Sequence, residues 1–258
     1  MSSAMRLSGL WLRSFHPSPK AATRLVCLPH AGGSASYFFP VSKALSPDVE
    51  VLAVQYPGRQ DRRDEPCLES ITELADHVAR DLGALTDRPL ALFGHSMGAS
   101  VAFEVARRLA GTEVPLLGLI ASGRSAPSST WGADVHLRDD AGILRELREL
   151  SGTDARFFDD EELVRMILPA VRGDYTAVAR YRCAPGVRVA CPVSVLVGDA
   201  DAQVPLAQAE RWRDHTDGAF DLQVFPGGHF YLNERADEVT AAVADRVARW
   251  SAAAARPV

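Results

Sequence analysis

The sequence predicts an α/β fold built on a mostly parallel sheet. Three observations carry that expectation. Short apolar runs alternate along the chain with longer amphipathic stretches. The runs are continuous and rich in Val and Leu, as strands covered on both faces must be. The longer stretches repeat their apolar residues at spacings of three, four and seven, which places them on one helix face.

Each element follows from this pattern. An edge strand is expected over 9–14. Strands are expected at 24–28, 49–55, 89–93, 116–121, 193–197 and 222–225. Helices are expected at 68–85, 99–110, 207–215 and 234–251. In the first, Leu68, Ile71, Leu74, Ala75, Val78 and Leu82 form the stripe; in the last, Val239, Val243, Val247 and Trp250 do. The alternation breaks from about 125 to 187, where no clear strand occurs. Helical segments at 143–150, 161–168 and 171–181 fill that interval, which lies between two sheet strands and reads as an insertion. The expected organisation is one domain over 1–258, with a core of 1–124 and 188–258.

Composition narrows the class. The chain has 258 residues, 47% of them hydrophobic and 24% charged, which suits a chain with a packed core and excludes a disordered or fibrous one. The net charge of −5 gives no basic footprint for nucleic acid. Lys20 and Lys43 are the only lysines, so arginine supplies the rest of the 28 basic residues. No run of about 18 apolar residues is present, so no membrane span is expected. The N-terminus lacks the apolar stretch of a signal peptide. Cys27, Cys67, Cys183 and Cys191 make no metal-binding spacing. A reducing, cytoplasmic setting is the expectation.

The chemistry centres on Gly94-His95-Ser96-Met97-Gly98, a G-x-S-x-G sequence between an expected strand and an expected helix. A tight turn there strains the backbone and exposes the serine hydroxyl. The helix behind it aims its first amides at developing negative charge. A serine hydroxyl needs a general base. Of the seven histidines, His16 and His30 precede the serine, His77 lies on a helix, His95 is inside the turn, and His136 is in the insertion. His215 ends a helix and is expected to be solvated. His229 remains, on the glycine-rich loop Pro226-Gly227-Gly228-His229 after the last strand. Two acids follow the preceding strand. Asp199 sits directly after Gly198 and can hold the turn. Asp201 lies two residues further out, better placed to orient a histidine. The amide of Met97 and the amide of Ala31, in Pro29-His30-Ala31-Gly32-Gly33, are the expected oxyanion donors.

These segments, together with Tyr56-Pro57-Gly58-Arg59-Gln60 and Phe230, resemble the type II thioesterases, the stand-alone editing hydrolases of polyketide and non-ribosomal peptide synthesis. The resemblance runs from Trp11 to about Trp250. It implies an α/β-hydrolase fold with a mostly parallel central sheet, flanking helices and a helical lid at the insertion. It implies a triad of Ser96, Asp201 and His229, with oxyanion donors on Ala31 and Met97. It further implies hydrolysis of acyl groups stalled on the phosphopantetheine thiol of an acyl or peptidyl carrier domain, with no cofactor or metal of the enzyme's own. A lid chamber would draw on Phe157, Phe158, Leu163, Met166, Ile167 and Tyr175, unless these are only the lid's own core. A carrier-facing surface would draw on Arg59, Arg62 and Arg63, or on Arg172, Arg180 and Arg182. The competing account is a solvated face or internal pairing with Asp61, Asp64 and Glu65. A carboxylesterase or lipase with the same triad, or a chain-releasing type I thioesterase domain, are the alternative activities.

Overall fold

The computed structural model describes residues 10–129, 135–150 and 160–255. Seven strands make one sheet: β1 (Leu12–Arg13), β2 (Thr23–Leu28), β3 (Val49–Val54), β4 (Leu90–His95), β5 (Leu116–Ser122), β6 (Val193–Gly198) and β7 (Phe220–Phe225). Their spatial order is β1-β3-β2-β4-β5-β6-β7. Only β1 runs antiparallel, pairing Leu12 with Val54; every other neighbour is parallel.

The unbroken apolar runs are explained by where successive side chains go. Strand residues alternate between faces. Leu25, Cys27, Val51, Ala53, Ala91 and Phe93 point to one side, where they pack with α1 (Phe39–Leu45) and α8 (Ala236–Ala254). Val26, Leu28, Leu52, Val54, Leu90 and Leu92 point to the other, against α2 (Ile71–Leu82) and α3 (Met97–Leu109). Both faces are covered, so apolar residues fill both parities, and the buried Arg24 of β2 and Glu50 of β3 are paired with each other at 2.9 Å. Ser70 starts α2 by accepting from the Glu73 amide at 3.3 Å.

Between β5 and β6 lie α4 (Asp140–Glu149) and α5 (Glu161–Arg180). Asp139 caps α4 through the Gly142 amide at 2.8 Å, and Asp160 caps α5 through the amides of Glu162 and Leu163. Val135, Ile143, Val164, Leu168, Val171 and Tyr175 form a separate apolar cluster between them. After β6 come α6 (Leu206–Glu210) and, past β7, the short α7 (Tyr231–Glu234) that leads into α8.

Three details depart from the sequence reading. The two helices expected on either side of Pro169 are one, because packing on both sides carries α5 through the proline at the cost of one backbone bond. The seven-residue α1 was not anticipated; it is too short to show a periodic stripe. His215 is buried rather than solvated, held by Ser128 Oγ at 2.8 Å and the Val187 carbonyl at 2.7 Å. Among the described residues no helix is long and apolar enough to cross a membrane.

Phe103 on α3 is fully buried with its ring edge-on to Trp212, centroids 5.7 Å apart. Phe103→Ala is expected to cost about 3–5 kcal/mol in urea unfolding. A loss below about 1 kcal/mol would mean that this side of the sheet is not tightly packed.

Candidate active site

Strand β4 delivers Ser96 at its carboxyl end, and α3 begins at the next residue. The connection is tight for an identifiable reason. A Cβ on Gly94 would overlap the Gly98 carbonyl, and one on Gly98 would overlap the Leu28 carbonyl. Only glycine at both positions lets α3 start this close to β2 and β4. The remaining distortion falls on Ser96, whose φ of 53° and ψ of −118° lie where few side-chain-bearing residues are found. Its amide is fixed to the Ser122 carbonyl at 2.8 Å.

The loop after β7 brings His229 to this point. Gly227 has φ 130° and donates its amide to Asp199 Oδ1 at 2.9 Å, while its carbonyl accepts from the Ala200 amide at 2.9 Å. Asp199 therefore ties the loops after β6 and β7 together. Asp201 is the acid that meets the histidine: its Oδ2 lies 2.8 Å from His229 Nδ1, and its Oδ1 accepts from the Gln203 amide at 2.9 Å. His229 Nε2 stands 3.0 Å from Ser96 Oγ. With a carboxylate on one ring nitrogen, the hydrogen-bond network assigns the proton to Nδ1 and leaves Nε2 to accept from the hydroxyl. Both His229 and Asp201 are buried.

Two further imidazoles crowd the site. His95 bonds to Ser122 Oγ at 3.0 Å, and that hydroxyl meets the Tyr231 hydroxyl at 2.7 Å. His30 lies edge-on between Tyr37 and Phe230, centroids 4.6 and 4.8 Å away. Burial lowers the pKa of both, and proximity to His229 adds to the effect; His30 falls from its ordinary 6.5 to about 3. Of the three, His229 is the one with a carboxylate partner among the described residues.

Ala31 and Met97 line one cavity with Ser96 and His229, and Ile167, Val171 and Tyr175 of α5 border it. Met97 is the first residue of α3, so its amide has no partner one turn back in the helix. Of the expected chamber residues, Ile167 and Tyr175 line this cavity, Leu163 does not, and Met166 is 54% exposed. Phe157 and Phe158 lie outside the described residues.

The arginine groups behave differently from a surface patch. Arg62 is buried, paired with Glu65 at 2.5 Å and set over the Trp11 ring. Arg59 is buried against Asp174 of α5, with contacts of 2.6 and 2.9 Å. Both are internally paired, Arg62 with the Glu65 that the competing account named and Arg59 with Asp174, which it did not. Arg172 pairs with Asp140, Arg180 with Glu69, and Arg182 holds the carbonyls of Ala179 and Tyr181. Asp174 was not singled out from sequence. Its signal was available: it is an acid on the apolar stripe of Val171, Tyr175 and Val178, where a buried carboxylate demands a partner.

The buried histidines set a pH dependence of stability. Folded His30 stays neutral down to about pH 3, whereas unfolded His30 takes a proton below its ordinary 6.5. The unfolded state thus binds more protons in this window, so stability is full above about pH 6.5 and falls as pH drops. His30→Phe is expected to lose less stability than the parent between pH 7 and pH 5 in urea titrations. An equal loss in both would remove His30 as a source of the pH dependence.

A family model described as a thioesterase domain matches residues 23–250. Thioesterase PikA5 of Streptomyces venezuelae is 54% identical over 242 residues, covering 93% of this chain and 86% of that protein. Among solved structures, the type II thioesterase BorB from the borrelidin biosynthetic cluster aligns with a TM-score of 0.86 at 50% identity, over 92% of this chain and 97% of BorB. The RedJ thioesterase from the prodiginine biosynthetic pathway in Streptomyces coelicolor gives 0.81 at 35% identity, over 91% of this chain and 89% of that one. The chain is a member of the thioesterase domain family, a hydrolase with the α/β-hydrolase fold.

Proposed function

We propose that this chain is a type II thioesterase that hydrolyses acyl groups from the phosphopantetheine thiol of an acyl or peptidyl carrier domain. The observation that carries the reading is the unbroken hydrogen-bond chain Ser96–His229–Asp201, opening on a cavity that Ala31 and Met97 also line. Ser96 Oγ attacks the thioester carbonyl as its proton passes to His229 Nε2. Asp201 holds the imidazole in the required tautomer and stabilises the imidazolium. The amides of Ala31 and Met97 receive the negative charge on the carbonyl oxygen. The C–S bond then breaks, and the thiol leaves with the proton from His229. Water enters, gives its proton to the same nitrogen and attacks the ester carbonyl. Collapse returns the proton to Ser96 and frees the carboxylic acid. The chain's own residues supply every group that these steps use.

The segment from 125 to 187 acts in this reading as a lid over the acyl group. The polyketide and non-ribosomal peptide setting is supported by YbtT, a type II thioesterase from the yersiniabactin NRPS/PKS biosynthetic pathway that is 31% identical over 93% of this chain. A carrier is recognised locally, since the enzyme carries a net charge of −5 of its own. With Arg59 and Arg62 buried, the exposed Arg63 and Arg180 are the better candidates for that contact.

A panel of acyl groups loaded on carrier proteins, each matched to its oxygen ester, tests the activity by mass. Hydrolysis of the carrier thioester is expected to exceed that of the ester by about ten-fold or more in kcat/KM. Equal rates, or a preference for the ester, would point to a carboxylesterase. Ser96→Ala is expected to abolish labelling by a fluorophosphonate and to lower kcat by about 10⁴-fold or more. Asp201→Asn, which offers the wrong hydrogen-bond pattern to His229, is expected to lower kcat by about 10⁴-fold with the fold intact by circular dichroism. Activity retained within ten-fold in Asp201→Asn would exclude that residue as the orienter.

A further inference from the structure

The oxyanion loop is held by a residue that belongs to the insertion. We propose that Asp174, on α5, is a positioning residue for the acyl-oxyanion site. Its carboxylate grips the Gly32 amide and the Arg59 guanidinium and so sets the direction of the Ala31 N–H. This inference rests on the triad and oxyanion reading given above.

The geometry is specific. Asp174 Oδ2 accepts from the Gly32 amide at 2.7 Å and from Arg59 Nη1 at 2.6 Å, and Oδ1 accepts from Arg59 Nη2 at 2.9 Å. Arg59 Nη1 also donates to the Gly33 carbonyl at 3.1 Å. The peptide groups on both sides of Gly32 and Gly33 are therefore clamped from outside the loop. The Gly33 amide meanwhile bonds the His30 carbonyl at 2.9 Å. That carbonyl shares a planar trans peptide with the Ala31 N–H, and the two must point in opposite directions. Fixing the carbonyl on Gly33 thus turns the Ala31 N–H the other way, and the Gly33 end is in turn fixed by Arg59.

The clamp is needed because of the loop's composition. Two adjacent glycines have more backbone freedom than any other pair, so the peptide planes would flip without an external hold. Gly32 has φ 75°, and a Cβ there would come within 2.8 Å of Val171 Cγ2, so the loop lies directly on α5. Charge is balanced as well. A lone carboxylate here would oppose an oxyanion forming nearby, but the bidentate guanidinium neutralises it. Asp174 is 0% exposed and Arg59 7%, so water does not screen either group. The consequence is a coupling between substrate cover and chemistry: the helix that borders the acyl cavity also sets a catalytic amide.

Hydrolysis of a short p-nitrophenyl ester tests this without depending on any carrier. Five proteins are compared: the parent, Ser96→Ala, Asp174→Asn, the double variant Arg59→Met with Asp174→Leu, and Tyr181→Phe. The double variant removes both charges together, so no unpaired ion is buried if Asp174→Asn fails to fold. Tyr181→Phe removes another anchor of the same helix, the 2.8 Å bond to Glu104, without touching the loop. The readouts are kcat, KM and inhibition by a boronic acid that forms a tetrahedral adduct on the serine.

The expected result is a kcat lowered about ten-fold or more in both Asp174 variants, with KM within about two-fold. Boronate affinity should fall in proportion to kcat, and Tyr181→Phe should keep the parent kcat. A parent-like kcat in the double variant, a change confined to KM, an unchanged boronate affinity, or an equal loss in Tyr181→Phe would each overturn the assignment. Ester hydrolysis that survives Ser96→Ala would overturn the serine mechanism and this inference together. A Ser96-dependent parent with an unaffected double variant would overturn this inference alone.

Discussion

The contact of α3 with the ends of β2 and β4 is the constraint on which the site depends. It exists because Gly94 and Gly98 place no Cβ between helix and sheet. Three consequences follow from that one approach. Ser96 is forced to φ 53° and lifted out of the strand plane. The first amide of α3, that of Met97, is left without a partner one turn back in the helix, at a residue that lines the cavity. The start of the helix also lies against the Leu28 and Pro29 carbonyls, where the loop carrying Ala31 begins. The proposed nucleophile and both proposed oxyanion donors are thus placed by one backbone packing event. The parallel register does the rest, since β4, β6 and β7 all end on the same side with their loops converging.

Polar groups around that point are sorted by partner. His229 has Asp201 and works in the proposed mechanism as the proton carrier. His30 and His95 are packed among rings and hydroxyls, and burial keeps them neutral. Neutral neighbours add no positive charge to oppose the imidazolium that His229 must become. The insertion reaches the same machinery twice. Asp174 of α5 meets the loop after β2, and Glu146 of α4 accepts from the Gln203 side chain at 2.9 Å, next to Asp201. The insertion, proposed to cover the acyl group, is thereby joined to the loops proposed to carry out the chemistry.

Much of this was legible in the sequence, for physical reasons that differ by element. The buried strands announced themselves because both faces of the sheet are dry, as Leu25–Leu28 and Leu90–Phe93 show. The Ser96 turn was readable because its glycines serve a steric need that no other residue meets. Asp201 was separable from Asp199 by reach: one residue sits at the strand end and laces two loops, the other extends to His229. What stayed hidden depends on tertiary partners. Arg62's pairing with Glu65 was within reach of the local sequence, but nothing near Arg59 reveals Asp174, 115 residues away, and nothing near Arg62 reveals the Trp11 ring. Pro169 was read as a break, but packing on both sides of it outweighs one lost hydrogen bond. His215 was assigned to solvent because its partners, Ser128 and Val187, come from distant segments.

The central claim is a covalent acyl group on Ser96 formed from a carrier thioester and released to water through His229. Rapid-quench mass spectrometry of the enzyme mixed with an acyl-carrier protein measures it directly, in the parent and in His229→Ala. The mechanism predicts a mass increase equal to the acyl group on the peptide containing Ser96 in the parent, matched by free carrier thiol. It predicts that neither signal rises above background in His229→Ala on the same timescale. Carrier thiol released by the parent with no acylated Ser96 peptide at any time would contradict it, as would acylation and release at parent rates in His229→Ala.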